Sequence, residues 1–194
     1  MIRIEPLEAN RRGEAAEVLA RAFVTNPLHV AAFGPNAIGR NEAFFRIGLS
    51  VMKGSMLAAM DGQRVVGAVH FVRSPLCQFG ALEKLRMLPA MAMGFGTGPL
   101  LRVSSWLSVW SKHEPSEGHV HLGPIGVLPE AQGKHVGRQL MLRYCDYQDQ
   151  IGLLGYLETD RLENVSFYKR FGFETTETAS VLGVTNHFMR REPV

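Results

Sequence analysis

The chain has little cysteine and lacks a long apolar run. Its two cysteines, Cys77 and Cys145, lie far apart in apolar or helical surroundings, so we expect reduced thiols in a reducing, cytoplasmic setting. The uncharged, apolar stretch at residues 87–101 is broken by proline and glycine. It is shorter than the about 20 apolar residues that a membrane-spanning helix needs. Residues 1–12 lack the apolar core of a signal peptide, so no membrane association is predicted.

The chain has only a small excess of positive charge. Lys and Arg together number 21 and Asp and Glu 18, and the basic residues are scattered along the chain. Nucleic-acid-binding proteins concentrate such residues on one face or helix, so no nucleic-acid partner is predicted. The 46% of hydrophobic residues is an ordinary globular share. A length of 194 residues suits a single domain, residues 1–194, whose core needs no disulfide or metal.

Hydrophobic periodicity predicts a succession of strands and helices. Strand-like patterns fall at 2–7, 55–60, 64–72, 119–127, 156–159, 173–181 and 185–189. Helical patterns fall at 14–23, 41–52, 135–150 and 164–171. Residues at about 73–117 are predicted to form a helical insert, with two helices around the glycine-rich break at 94–98. This order predicts an α/β (α+β) domain in which a mixed sheet carries helices on both faces.

One turn between a strand and a helix is a candidate phosphate site. Its sequence is Gln132-Gly133-Lys134-His135-Val136-Gly137-Arg138. The first turn of a helix has unpaired N–H groups and a partial positive charge that favour phosphate, and glycines let the backbone come close. From the residues alone, a purely structural turn is an equal alternative. The segment is neither a Walker P-loop nor a G-x-G-x-x-G dinucleotide site.

This turn and the segment that follows it resemble the GNAT N-acetyltransferase superfamily. G-P-I-G-V-L-P-E-A-Q-G-K-H-V-G-R-Q-L is similar to the family's acetyl-CoA motif, Q/R-x-x-G-x-G/A after a strand. Y-L-E-T-D-R-L-E-N-V-S-F-Y-K-R-F-G-F-E is similar to its next strand and helix. Together these cover roughly residues 119–191 and look nearest to the puromycin acetyltransferase-like branch. His135 departs from the pattern, because it stands where the first motif glycine usually lies.

The resemblance implies a GNAT-like, centrally splayed sheet, with acetyl-CoA as co-substrate and no metal. The strands at 119–127 and 156–159 would separate and admit the pantetheine arm. The backbone of Ile125 and Val127 would pair with that arm, and the turn would hold the pyrophosphate. The residues implied for cofactor binding are Ile125, Gly126, Val127, Gln132, Gly133, Lys134, His135, Val136, Gly137, Arg138, Asn164 and Tyr168.

Tyr168 is the family-matched general acid, which would protonate the leaving thiolate. From the residues alone, a tyrosine packed beside Phe167 and Phe171 is the alternative. His119 and His121 are the candidate bases, because they share one strand face and an imidazole pKa of about 6.5 suits proton transfer near neutrality. Both could equally line a polar strand face, and no third ligand has the spacing of a metal site. Further candidate bases are Glu114, Glu117, His70, His113 and Glu158.

The predicted activity is transfer of an acetyl group from acetyl-CoA to the primary amine of a small molecule, by direct attack on the thioester. A non-catalytic acyl-CoA-binding or sensor domain is the alternative, prompted by His135. An interaction protein that uses the insert is a third class, and the resemblance allows a homodimer. The large apolar residues of the insert could line an acceptor pocket, or belong to the core or a dimer contact: Met87, Met91, Met93, Phe95, Trp106 and Trp110.

Overall fold

The computed structural model describes residues 2–78 and 80–194, which form a seven-stranded sheet with helices packed on it. The strands are β1 (Ile2–Pro6), β2 (Ser55–Asp61), β3 (Arg64–Arg73), β4 (His119–Val127), β5 (Leu154–Thr159), β6 (Glu174–Val181) and β7 (Val184–Arg191). The helices are α1 (Arg12–Phe23), α2 (Pro27–Phe33), α3 (Ile38–Val51), α4 (Ala81–Phe95), α5 (Thr97–His113), α6 (Val136–Ile151) and α7 (Leu162–Lys169).

The sheet is mixed, with the strand order β1-β2-β3-β4-β5-β7-β6. Every neighbouring pair is antiparallel except β4 and β5, which run parallel. A parallel pair needs a crossover connection, and α6 provides it, since it lies between β4 and β5 in the chain. The predicted mixed α/β architecture is therefore confirmed.

The sheet opens between β4 and β5. These strands pair at only three positions, where His119–His121 face Leu154–Tyr156. Beyond them β4 follows β3 as far as Val127, and β5 follows β7 as far as Thr159. A bulge accompanies the opening, because Val69 and Phe71 of β3 oppose Ile125 and Leu122 of β4. The extra residue falls at Gly123-Pro124, where proline cannot donate to the ladder.

Helices cover both faces of the sheet, as predicted. A side chain at Gly67 of β3 would point at Val136 and Leu140 of α6. Its neighbour Ala68 packs with the apolar cluster of α1 and α3 on the other face. Successive strand residues point to opposite faces, so β3 lies between two helical layers. None of the helices in residues 2–78 and 80–194 is long and apolar enough to cross a membrane.

Residues 73–117 contain the two predicted helices, α4 and α5, with the break at Gly96. Helix α2 has no counterpart in the sequence prediction. It begins at Asn26-Pro27, where Asn26 Oδ1 accepts a hydrogen bond of 3.1 Å from the His29 N–H and proline occupies the first turn. These helices and α3 share an apolar cluster that includes the buried Met87, Met91, Phe95 and Trp106. Met93 is 83% exposed and lies outside it.

Candidate active site

A cavity of about 730 Å³ lies where β4 and β5 separate. Its walls come from the end of β4, the turn that follows and helix α7. All the predicted cofactor-binding residues except Lys134 line it: Ile125, Gly126, Val127, Gln132, Gly133, His135, Val136, Gly137, Arg138, Asn164 and Tyr168. Lys134 lies in the same turn, outside the lining. We call this space the turn cavity.

His135 adopts the backbone conformation that a glycine would provide. Its φ of 59° and ψ of 13° are left-handed, and it is the residue immediately before α6. Gly133, two residues earlier, also has a positive φ of 73°. A residue with a β-carbon rarely adopts this conformation, so the turn keeps its shape at the cost of local strain. Gln132 fixes the turn to β4, because its Nε2 donates to the Val127 carbonyl at 3.1 Å.

The turn fits an anionic ligand. The first turn of α6, with Gly137 in it, lines the cavity, and such turns present unpaired N–H groups and a partial positive charge. Two further cavity residues, Arg161 and Arg170, add to the charge of Arg138. Neither of them is among the residues predicted from the sequence. Their position at either end of α7, the helix of Asn164 and Tyr168, was the available signal.

Gly126 and Gly137 both line the turn cavity, but packing against neighbouring residues requires a glycine at only one of these positions. A β-carbon on Gly126 would lie 2.9 Å from carbon atoms of both Ala22 and Leu19, so this glycine lets α1 pack against β4. A β-carbon on Gly137 would lie 3.8 Å from its nearest neighbours, side-chain atoms of Phe167 and Val127. That is ordinary van der Waals contact. Packing therefore does not require a glycine at position 137. The absence of a side chain there instead leaves space free in the turn cavity.

A second cavity, of about 250 Å³, adjoins the first. Aromatic and methionine side chains of α2, α3, α4 and α5 line most of it, and ionisable groups at the start of the splay line the rest. The insert contributes Met87, Met91, Trp106 and Trp110, so these residues are both packed and cavity-lining. We call this space the apolar cavity. Residues that line both cavities are Phe23, Asn26, Ile125, Asn164 and Tyr168.

Tyr168 lies at the junction of the two cavities. Only 6% of its surface is exposed. Burial, with the negative charge of Asp160 as a second cause, raises the pKa of its hydroxyl well above the usual value. The hydroxyl is therefore protonated at neutral pH, which is the state that a proton donor requires.

His121 lines the apolar cavity and pairs with Glu158. Its Nε2 lies 2.9 Å from Glu158 Oε2. Burial lowers the pKa of His121, but the charge of Glu158 and hydrogen bonding to Cys77 and Glu158 outweigh this and raise it to about 10. His121 is therefore protonated at neutral pH, and the pair can accept a proton from a substrate only after His121 has released its own.

His119 lies on the same face of β4, but outside the lining of both cavities. The rings of His119 and His121 lie 5.8 and 5.4 Å from the Tyr156 ring. Burial opposes protonation of His119, but hydrogen bonds to Cys77, Glu114 and the Glu117 carbonyl raise its pKa to about 9. His119 is 2% exposed, so it contacts protein groups rather than cavity contents.

The remaining candidate bases are held differently. Glu158 and Glu114 line the apolar cavity, whereas His70, His113 and Glu117 are outside both linings. The His70 Nε2 is bonded to the Lys53 carbonyl at 2.6 Å. His113 pairs with Glu177 at 2.6 Å and Glu117 with Arg190 at 3.0 Å. These contacts are structural, in loops and at the sheet surface.

Part of the chain matches a known protein family. The Acetyltransferase (GNAT) domain family matches residues 105–175. A mycothiol acetyltransferase of Renibacterium salmoninarum is 37% identical over 119 residues, which cover 56% of this chain and 35% of that protein. The chain thus spans about a third of the length of that relative. The matched relatives are mycothiol acetyltransferases, so the comparisons support the GNAT domain but not the narrower resemblance to the puromycin branch.

Solved structures share the fold over the whole chain. One of them is a Corynebacterium glutamicum protein described as "histone acetyltransferase HPA2 and related acetyltransferase". It is 18% identical to this chain with a TM-score of 0.76, and the match covers 100% of this chain and 97% of that one. A GNAT family acetyltransferase of Brucella melitensis, solved in complex with acetyl-CoA, is 17% identical with a TM-score of 0.54, covering 99% and 88%. Residues 105–175 thus match the GNAT acetyltransferase domain, and the whole chain shares the fold of these solved acetyltransferases.

Proposed function

We propose that residues 1–194 form a single acyl-CoA N-acyltransferase domain that acetylates the primary amine of a small molecule. One observation carries this proposal: Ile125, Asn164 and Tyr168 line both cavities, so ligands bound in the two would meet at these residues. Bound acetyl-CoA supplies an acetyl thioester, which the amine attacks directly. The mycothiol acetyltransferase relative and the acetyl-CoA complex of the Brucella neighbour support it.

The turn cavity is the proposed site of acetyl-CoA. The N–H groups at the start of α6 would bind the pyrophosphate, with Arg138, Arg161 and Arg170 nearby as counter-charges. Among the described residues, the edge of β4 that faces β5 has no strand partner beyond His121. The backbone of Ile125 and Val127 on that edge can therefore pair with the amides of the pantetheine arm.

The apolar cavity is the proposed site of the amine. Tyr168 is the general acid, because this residue lines both cavities and its hydroxyl stays protonated. On the acceptor side we assign proton transfer to His121 with Glu158, since both line the apolar cavity. His119, predicted as a second base, has its ring turned to Glu114, Glu117 and Cys77. We assign it no contact with the acceptor.

Two measurements test the proposal. The protein is incubated with acetyl-CoA and a panel of primary amines, and free thiol is followed over time. Calorimetric titration with acetyl-CoA measures binding separately. Thiol release that depends on an amine, together with binding, is expected. Binding without turnover on any amine would favour the acyl-CoA-binding or sensor alternative, and absence of binding would overturn both.

A further inference from the structure

Three metal-ligating side chains converge at the base of the α4–α5 insert. They are Cys77 in the segment before α4, Glu114 directly after α5, and His119 at the start of β4. One ligand atom of each lies within 4.8 Å of the others. Cys77 and Glu114 also line the apolar cavity. None of the three is assigned above to acetyl transfer, although His119 lies two residues before His121 on β4.

Two of the three ligand distances match those of a tetrahedral zinc site. Cys77 Sγ lies 3.7 Å from His119 Nε2, and Glu114 Oε1 lies 3.2 Å from the same nitrogen. With zinc about 2.3 Å from sulfur and about 2.0 Å from nitrogen and oxygen, tetrahedral ligands lie about 3.6 Å apart for sulfur and nitrogen and about 3.3 Å apart for nitrogen and oxygen. The third pair of ligand atoms, on Cys77 and Glu114, lies within 4.8 Å, a separation that rotation of these two side chains can adjust to a single ion.

The surrounding hydrogen bonds orient the ligands. His119 Nδ1 lies 2.8 Å from the Glu117 carbonyl oxygen. A carbonyl only accepts, so Nδ1 carries hydrogen, and in the neutral ring Nε2 presents its lone pair to Cys77 and Glu114. Gln78 Nε2 donates to the other carboxylate oxygen of Glu114. Such outer contacts set the tautomer and orientation of metal ligands.

We propose that Cys77, Glu114 and His119 bind a zinc ion with a fourth coordination position at the wall of the apolar cavity. A thiolate and a carboxylate carry two negative charges, which the dication balances, and this mixed sulfur, nitrogen and oxygen set suits zinc. Without a metal ion, a proton lies between His119 Nε2 and the Glu114 carboxylate, which are 3.2 Å apart, and zinc would replace that proton. The bound ion joins the two ends of the insert to the sheet, and so fixes helices that line the apolar cavity.

The test measures metal directly in the whole protein. Protein purified without chelator is analysed for zinc by mass spectrometry, and chelated protein is titrated with cobalt(II) while its absorption spectrum is recorded. One zinc per chain, and a cobalt spectrum with a thiolate charge-transfer band and the visible bands of a tetrahedral site, are expected. Zinc should also raise the melting temperature of the chelated protein, because a ligand that binds only the folded state stabilises it.

Variants locate the ion. Cys77→Ala should lose the thiolate band and Glu114→Gln should weaken zinc binding by at least about tenfold. Cys145→Ala removes the other cysteine, a buried residue of α6 that is not part of the cluster, and should keep the band. Circular dichroism checks that each variant folds. Wild-type protein that binds no stoichiometric zinc or cobalt, or a band that persists in Cys77→Ala, would overturn the proposal and leave a proton shared between His119 and Glu114.

Discussion

His121 Nε2 on β4 lies 2.9 Å from Glu158 Oε2 on β5, directly beyond the last position at which the two strands pair. Both side chains line the apolar cavity, and Glu158 is 4% exposed. The ion pair thus spans the opening of the sheet at the point where an acceptor amine would approach Tyr168. Removing one partner of a buried pair leaves the other without compensation.

We expect Glu158→Gln to lower turnover by at least about tenfold, because the neutral amide no longer compensates His121 or attracts an ammonium group. Acetyl-CoA affinity should change little, since Glu158 lies outside the turn cavity. Steady-state kinetics and calorimetry measure both. Glu117→Gln is the control, as that carboxylate pairs with Arg190 outside both cavities. Equal losses in the two variants would contradict a role for the pair in the reaction.

Tyr168→Phe should reduce the maximal rate by about 100-fold or more while the protein still binds acetyl-CoA, because only the proton donor is removed. The ring remains to fill its buried position. Tyr147→Phe removes a hydroxyl outside both cavities and should leave turnover unchanged. If Tyr168→Phe turns over at the wild-type rate, another group protonates the thiolate.

Gly137→Ala should separate stability from cofactor binding. A β-carbon at position 137 meets only atoms at 3.8 Å, and alanine favours a helix over glycine by up to about 1 kcal/mol, so stability should hold or rise. Acetyl-CoA binding should weaken, because the methyl group occupies space in the turn cavity. Gly39→Ala is the matched control, at the second position of α3 with open space around it. Unchanged acetyl-CoA affinity in Gly137→Ala would argue against a phosphate beside α6.

His135→Gly should stabilise the protein by about 1 kcal/mol, since glycine adopts a φ of 59° without the strain that a β-carbon causes. Acetyl-CoA should bind at least as tightly. Urea unfolding and calorimetry measure the two effects. His135→Ala keeps the β-carbon and removes the imidazole, so it should show neither gain in stability nor relief of the turn. Weaker binding in both variants would mean that the imidazole itself donates to the phosphate.

Stability should fall as the solution becomes acidic. Burial lowers the pKa of His29 and of His70 to about 4, whereas in the unfolded chain it is about 6.5. Between these values the unfolded state binds more protons, so the free energy of unfolding decreases as pH falls from 6.5 toward 4. Each histidine should contribute a loss of roughly 2 kcal/mol by pH 5.

Urea unfolding at several pH values checks this loss. His29→Gln should flatten the dependence by the share of one histidine. His187→Gln, on β7, is the comparison and should follow the wild type, because that side chain is only partly buried. His119 and His121, whose pKa values are raised, oppose part of this loss in the wild type, so a pH dependence of His29→Gln equal to that of the wild type is the result that would contradict a neutral, buried His29.

Local patterns predicted the elements but not all of their junctions. Alternation and helical periodicity located the strands and the two helices of the insert, because each pattern reports which residues face the core. Asn26-Pro27 is ambiguous in the same terms, since it ends α1 and also caps the start of α2. The left-handed backbone of His135 was not predicted either, although its place at a motif glycine position was an available signal.

The turn cavity was predictable, and the apolar cavity was not. The residues predicted to bind the cofactor lie in one continuous segment, 125–138, and in α7. A sequence motif could therefore locate the turn cavity. The apolar cavity is assembled from α2, α3, α4 and α5, whose contacts depend on tertiary packing. Likewise Cys77 and His119 are 42 residues apart in the chain, and they meet only because α4 and α5 fold back on each other.

The five residues common to both cavities have a thermodynamic consequence. Two ligands that occupy the two cavities at the same time would contact the same side chains, including Tyr168. Any adjustment that one ligand makes to this shared wall changes the free energy of binding the other, and the change is equal in either order of addition. The affinity for one ligand should therefore differ between the free protein and the protein that already holds the other ligand. The ratio of these two affinities measures the coupling through the shared wall.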